Sequence, residues 1–377
     1  MTTVVVAGAL ANKPHNGGEA WVRLTWLRGL ADLGLEVQLV ECADVPPDGE
    51  AAQWFDDVTA WAGVSDRATL LGARGERLRG PGEELLRDLA DDGAVLVDLS
   101  GSLTDPALVS AFRSRAYVDL DPGWTQLWDA AGLLGDVLDR YDLHLTVGDA
   151  VPTCGLPLSG RQWRTVRPLV LLSDWSPGEE PPAAELGTAA LTTVGSWRSP
   201  SGTMPYDGRE LGGKARSWRP LSALPQAVPQ PCTAVVAAHR ADAADLQALV
   251  DGGWSLLGPD AVATPAAYRD FVQSSAGELS VAQELYTGTR CGWTSDRTAA
   301  YLASGRPAVV SDTGFGADLR ASPALRAFGT PEQAVAACCE LAVGDPGELA
   351  GAARQLAADR FSTRAVLPPV LELLGAA

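Results

Sequence analysis

The chain opens with a β-branched apolar run over residues 3–8, of the kind that forms a buried strand. A loop over 9–18 follows. Residues 19–33 then carry Trp21, Leu24, Trp26, Leu27 and Leu30 at helical spacing, with Gly34 as the stop. Residues 36–41 return to strand character. Strand, glycine-rich loop, helix, strand is the opening of a doubly wound α/β fold.

The alternation continues along the chain. Amphipathic helices are predicted over 48–63 and 82–92, a buried strand over 94–100 and a helix over 107–113. Strands follow over 115–121, 141–147 and 164–172, with a short helix around 124–127 between the first two. Residues 173–186 are rich in proline, glycine and glutamate and read as an interdomain linker. The second half repeats the scheme, with strands over 190–198, 233–237, 254–259 and 275–282, and helices over 242–250 and 265–274. Helices over 331–343, 347–361 and 367–374 close the chain.

One stretch concentrates several signals. Arg290 and Cys291 lead into Gly292 and Trp293, and then Thr294, Ser295 and Asp296 supply side chains that cap a helix N-terminus. Small apolar residues from Ala299 to Ala303 continue that helix, and Gly305 stops it. Pro307 follows, then the apolar strand 308–310, then Asp312, Thr313 and Gly314 at the strand's carboxyl end, where open α/β sheets bind ligands. A helix N-terminus offers free N–H groups and the positive end of a dipole, and Arg290 and Arg297 flank it, so the chemistry points to an anion such as a diphosphate. An ordinary αβ unit with a solvated arginine is the alternative reading.

Length and charge narrow the field. The 377 residues suffice for two domains of ordinary size, and 46% hydrophobic with 20% charged residues is a globular composition. A formal net charge of −18 argues against nucleic-acid or anionic-membrane partners. The sequence shows no transmembrane-length apolar run, and the N-terminus lacks a basic n-region, so a cytoplasmic protein is expected. The six cysteines show no C-x-x-C pair and the three histidines are scattered, so neither a zinc site nor a disulfide scaffold is expected.

The run Ser304-Gly305-Arg306-Pro307-Ala308-Val309-Val310-Ser311-Asp312-Thr313-Gly314 resembles the donor-binding segment of GT-B glycosyltransferases. Leu30 to Gly34 also resembles the "L-x-x-L-G" before the second strand in that family, and Val194-Gly195-Ser196 its turn after the first strand of the second domain. The resemblance implies two Rossmann-like domains facing each other across a cleft, with a C-terminal helix crossing back. The domains would be 1–175 for the acceptor, 187–345 for the nucleotide-sugar donor, and 346–377 as helices packing back toward the first. It implies sugar transfer from a nucleoside-diphosphate sugar to a small molecule, possibly a natural product, with no cofactor beyond that donor. Retaining members carry two glutamates where this chain has Gly292 and Ala300, so the expectation leans to inversion. Asp119-Leu120-Asp121 has metal-motif spacing but ends a strand, so metal-independent transfer is expected. A nucleotide-sugar epimerase and a non-catalytic nucleotide-binding module stay open beside it.

The substrate-binding residues implied are Gly17 and Gly18, toward the donor phosphates or the acceptor, and Ser196, Trp197, Arg198, Lys214, Arg290, Gly292, Thr294, Ser295, Asp296, Arg297, Asp312, Thr313 and Gly314. For the catalytic base, His15 beside Gly17-Gly18 and Asp121 at the end of a later strand are placed on one sheet edge, with Glu19 next in line. Asp121 is read equally as an Asx-turn or helix cap, and His15 as a loop residue that merely packs.

Overall fold

The first apolar run forms β1 (Thr3–Ala7), whose three valines are fully buried, and a sheet grows on both sides of it. The structure is a computed structural model that describes residues 2–176, 189–199 and 202–376. On one flank of β1 lie β2 (Glu36–Cys42), β3 (Ala68–Leu71) and β4 (Arg77–Arg79). On the other lie β5 (Val95–Leu99), β6 (Arg115–Asp119), β7 (Leu143–Thr146) and β8 (Trp163–Thr165). The order is β4-β3-β2-β1-β5-β6-β7-β8, parallel except at the β3–β4 edge. The winding reverses between β1 and β5. That switch point opens a crevice at the carboxyl ends of the two strands.

The second half builds β9 (Leu191–Ser196), a hairpin of β10 (Met204–Tyr206) and β11 (Arg209–Leu211), then β12 (Cys232–Ala237) and β13 (Ser255–Leu257). It continues with β14 (Gly277–Ser280), β15 (Ala308–Ser311) and β16 (Leu325–Phe328). Its main sheet runs β13-β12-β9-β14-β15-β16, all parallel, with a switch point between β9 and β14. Each half therefore offers a crevice, and the two crevices face each other.

The halves are joined at several places. Main-chain N–H groups of Asp149 and Ala150 donate to the carbonyls of Gly292 and Cys291 at 3.2 and 3.0 Å. Arg167 spans Asp149 at 2.8 Å and Asp318 at 3.0 Å. On the far side the indole of Trp21 donates to the carbonyl of Pro265 at 2.8 Å. The final helix, Thr363–Leu374, crosses back and lies on the helix Gly17–Asp32. Gly29 makes that packing possible, because a Cβ there would fall 2.3 Å from Cγ2 of Thr363.

Three differences from the expected elements have physical causes. The strands β3, β4, β10, β11 and β16 were not anticipated, since runs of only three or four residues carry little periodicity. Of the strand expected over 164–172, only Trp163–Thr165 pairs, and residues 172–175 turn into a short helix. Residues 177–186 of the expected linker lie outside the described residues. Of the two helices after residue 345, Pro346–Arg360 stays on the second half, against Asp296–Ala303, and only the last one crosses. Among the described residues no helix is long and apolar enough to cross a membrane.

Two carboxylates with zero exposure tie loops to the ends of β5 and β6. Asp98 accepts from the amides of Ser102 and Leu103 and from the Tyr141 hydroxyl, at 2.6, 3.1 and 2.7 Å. Asp119 accepts from Thr125, Gln126 and Thr146 at 2.7, 2.9 and 2.8 Å. Burial outweighs these bonds and pushes both carboxyls from the ordinary 3.8 to about 6. The folded chain thus holds these protons more tightly than the unfolded chain. The associated stability is complete below the unfolded value and is lost as pH rises through 6, by on the order of 3 kcal/mol for each group. Calorimetry is expected to show a higher melting midpoint at pH 5 than at pH 7.5, and an unchanged midpoint would contradict this reading.

Candidate functional site

Two adjoining cavities occupy the space between the switch points. The larger, of about 390 Å³, lies among the ends of β1, β5 and β6, the start of helix Gly17–Asp32 and residues 283–297. The smaller, of about 240 Å³, is walled by residues 194–196, Val235, Ala237, Pro259 and Val262. They share Glu19, Val22, Lys214, Ser295, Asp296 and Arg297.

The wall from the first half is set by Glu41, a fully buried residue near the end of β2. Its carboxylate accepts the amides of Leu10, Ala11 and Asn12 at 2.7, 2.7 and 2.8 Å, which fixes the loop after β1. Burial raises the Glu41 carboxyl, against those three donors. The loop carries Lys13 over the cleft, where its ammonium meets Glu19 at 3.0 Å. Asn16 then caps the helix by accepting the amide of Glu19 at 3.1 Å. Gly17 and Gly18, expected in the loop, are therefore the first helical turn. A Cβ at Gly17 would stand 2.4 Å from the Thr264 carbonyl, so the residue is needed where the two halves touch.

The three base candidates separate. Glu19 is gripped by Lys13 and Arg23; burial raises its carboxyl, but the two cations overrule burial and bring it down to about 2. An acid so easily ionised is a weak base, which corrects its place among the candidates. His15 takes a left-handed conformation (φ 55°) that aims its ring at Trp54, and its Nε2 lies 2.8 Å from Glu50. It borders the smaller cavity, while Asp121 borders the larger. The His15–Asp121 pair expected from the sequence is not made. Asp121 instead accepts the hydroxyl of Tyr286 at 2.8 Å, from the other half of the molecule. It is open to cleft solvent but surrounded by protein, and that burial raises its carboxyl above the ordinary value; the Tyr286 bond opposes the rise and the charge of Glu19 adds to it.

On the opposite wall Ser295 caps the helix Asp296–Ala303 by accepting the Arg297 amide at 3.2 Å. The Arg297 side chain is taken up by bonds within the second half. It donates to buried Glu278 at 2.6 Å, to the Val194 carbonyl at 2.7 Å and to Ser280 at 3.0 Å. Its expected role on a diphosphate is corrected to that of a pillar under the cleft. Lys214 stands at the boundary of both cavities, with the Val194 carbonyl at 3.4 Å as its acceptor among the described residues. Burial, and next the charge of Arg297, lower its ammonium to about 7. Thr294 lines the larger cavity with a buried hydroxyl that has no partner among the described residues. Asp296 faces both cavities, and burial followed by the Glu19 charge raises its carboxyl.

Other expected donor residues sit elsewhere. Ser196 borders the smaller cavity, but Arg198 forks onto Asp242 at 2.7 to 2.9 Å and borders neither. Trp197 is buried and donates to Asp245 at 3.1 Å. Arg290, Gly292, Asp312, Thr313 and Gly314 also border neither cavity. Asp312 pairs with Arg320 and lies 3.7 Å from Arg290, the Gly314 amide donates to Asp312 at 2.9 Å, and Thr313 donates to the Trp293 carbonyl at 2.6 Å. The end of β15 folds back beneath the turn at 290–294 and braces it, so these residues shape the helix N-terminus from behind.

Several cleft residues belong to no motif: Trp26, Ser100, Ser102, Gln283, Tyr286 and Trp293. The Tyr286 and Trp293 rings stack with centroids 4.6 Å apart. Glu41 did carry a signal, an acid near the end of a strand whose last four residues are buried.

No protein-family model and no curated protein matches the chain. Solved structures do. A mutant of S. aureus TarM in complex with Fondaparinux, alpha-GlcNAc-glycerol and UDP is 9% identical, with 99% of this chain and 100% of that one covered and a TM-score of 0.65. HepE of Anabaena in complex with UDP-glucose is 12% identical, with both chains covered completely and a TM-score of 0.58. AviGT4, a glycosyltransferase involved in avilamycin A biosynthesis, is 15% identical, with 100% and 99% covered and a TM-score of 0.56. The chain has the GT-B fold shared by these glycosyltransferases.

Proposed function

We propose that the protein is a glycosyltransferase that moves a sugar from a nucleoside-diphosphate sugar to the hydroxyl of a small molecule, such as a natural product, with inversion and without a metal ion. The observation that carries this is the meeting of two switch-point crevices at Lys214 and the Ser295–Arg297 helix N-terminus, with Asp121 on the facing wall. Residues 1–175 serve the acceptor and 187–345 the donor, in a cytoplasmic setting. The nucleotide occupies the smaller cavity and its diphosphate lies against Lys214 and the amides after Thr294. The sugar and the acceptor fill the larger cavity between Trp26 and Trp293. Asp121 takes the proton of the acceptor hydroxyl as its oxygen bonds to the anomeric carbon. The bond from that carbon to the phosphate oxygen breaks, and Lys214 and the helix dipole stabilise the departing diphosphate.

Incubation with a panel of nucleotide-sugars and candidate acceptors tests the reading. Release of nucleoside diphosphate with a glycosylated acceptor, or with free sugar from slow hydrolysis, supports it. An isomerised sugar still joined to its nucleotide would identify an epimerase, and binding without turnover a non-catalytic module.

Lys214→Ala is expected to weaken nucleoside-diphosphate binding by about 1.5–3 kcal/mol, the scale of a hydrogen bond to a charged group. Because the lysine loses its proton near pH 7, the affinity of the unaltered protein should fall as pH rises from 6.5 to 8.5. The variant, titrated calorimetrically with the same nucleotide, should lack most of that fall. Equal affinity and equal pH dependence in both proteins would remove Lys214 from the site.

A further inference from the structure

A chain of hydrogen bonds crosses between the halves and ends on Asp121. Trp124, at the start of the helix after β6, donates its indole N–H to Gln283 at 3.1 Å. The amide of Gln283 donates to the Tyr286 hydroxyl at 3.2 Å, and that hydroxyl donates to Asp121 at 2.8 Å. Trp124 and Asp121 belong to the first half and Gln283 and Tyr286 to the second, so the path leaves the acceptor wall and returns to it. The Tyr286 ring is buried and stacked on Trp293, which fixes the direction of its hydroxyl.

We infer that Tyr286 is the positioning residue of the transfer reaction, holding the Asp121 carboxylate toward the acceptor hydroxyl through the Trp124–Gln283–Tyr286 relay. This rests on the glycosyltransferase reading above. A carboxylate that borders open solvent has two free torsions, and a single donor fixed by a stacked ring selects one orientation of it. The relay also makes the alignment a property of both halves together, since neither holds all its members.

The charged groups around Asp121 set what removal of the hydroxyl does. Glu19, Lys13 and Arg23 face it from the loop and helix after β1, Asp119 lies two residues back at the end of β6, and Asp296 borders the same cavity. The hydroxyl bond favours the ionised carboxylate, against burial and the Glu19 charge. Without it the carboxyl gains its proton at higher pH. The acid limb of the rate profile must then move upward.

Tyr286→Phe keeps the ring on Trp293 and removes only the hydroxyl. Its turnover at pH 7 is expected to fall roughly tenfold, within the loss that misplacing a reacting group causes. The acid limb of kcat should move to higher pH, with the KM for nucleotide-sugar unchanged. Trp124→Phe removes the first donor of the relay and should shift the limb in the same direction by less. A wild-type acid limb in Tyr286→Phe, with Asp121→Asn inactive, overturns the inference alone. Equal turnover by Asp121→Asn and wild type overturns the assignment of the base, and no transfer by the wild-type protein overturns the functional reading itself.

Discussion

Asp121→Asn is expected to lower turnover by about 10²-fold or more while leaving nucleoside-diphosphate affinity unchanged. Asparagine keeps the size of the side chain and can still accept the Tyr286 hydroxyl, so the fold and the relay persist. What it loses is the capacity to take a proton. The separation follows from the site: Asp121 borders only the larger cavity, while Lys214 and the Asp296–Ala303 helix N-terminus border both. Single-turnover rates and calorimetric binding, measured on the same preparation, check the two halves of this statement. Near-normal turnover in the variant would place the base elsewhere. Because Asp121 is raised above the ordinary aspartate value, the acid limb of the unaltered protein should also lie above it.

The largest expected effect on stability comes from Arg297→Ala. Glu278, on β14, has zero exposure, and its ionic partner is Arg297 at 2.6 Å. Removing the guanidinium strands a buried carboxylate, which costs about 3–5 kcal/mol in comparable cases. Urea denaturation should register the loss as a lower midpoint with an unchanged slope. Replacing both residues, as Arg297→Met with Glu278→Leu, should recover most of the loss, because a buried pair exchanged for apolar side chains is often neutral. A single variant as stable as the parent would show that the pair contributes nothing.

Arg297 also marks where reading the sequence stops working. Its position in the first turn of a helix was legible from Thr294-Ser295-Asp296, and Ser295 does cap that turn. The direction of a long side chain was not legible, because it depends on a strand nineteen residues upstream that presents Glu278 to it. The same holds for Arg198, drawn to Asp242, and for His15, drawn to Glu50. Apolar periodicity placed the principal strands and most helices, since burial on both faces forces continuous apolar runs. Asp121 was legible as a carboxylate at a strand end. Its partner Tyr286 was not, because the contact joins two chain segments whose proximity depends on how the halves dock.

The main-chain bonds from Asp149 and Ala150 to Gly292 and Cys291 have a consequence for the history of such a protein. An amide and a carbonyl are common to every residue type, with proline alone lacking the donor. Side chains at Ala150 and Cys291 can therefore change wherever they fit, but Gly292 cannot, because its φ is 78° and a Cβ there would stand 2.5 Å from the Ala150 nitrogen. The part of the seam carried by amides and carbonyls asks little of side-chain identity, and the chain overlays solved structures along nearly its whole length at 9 and 12% identity.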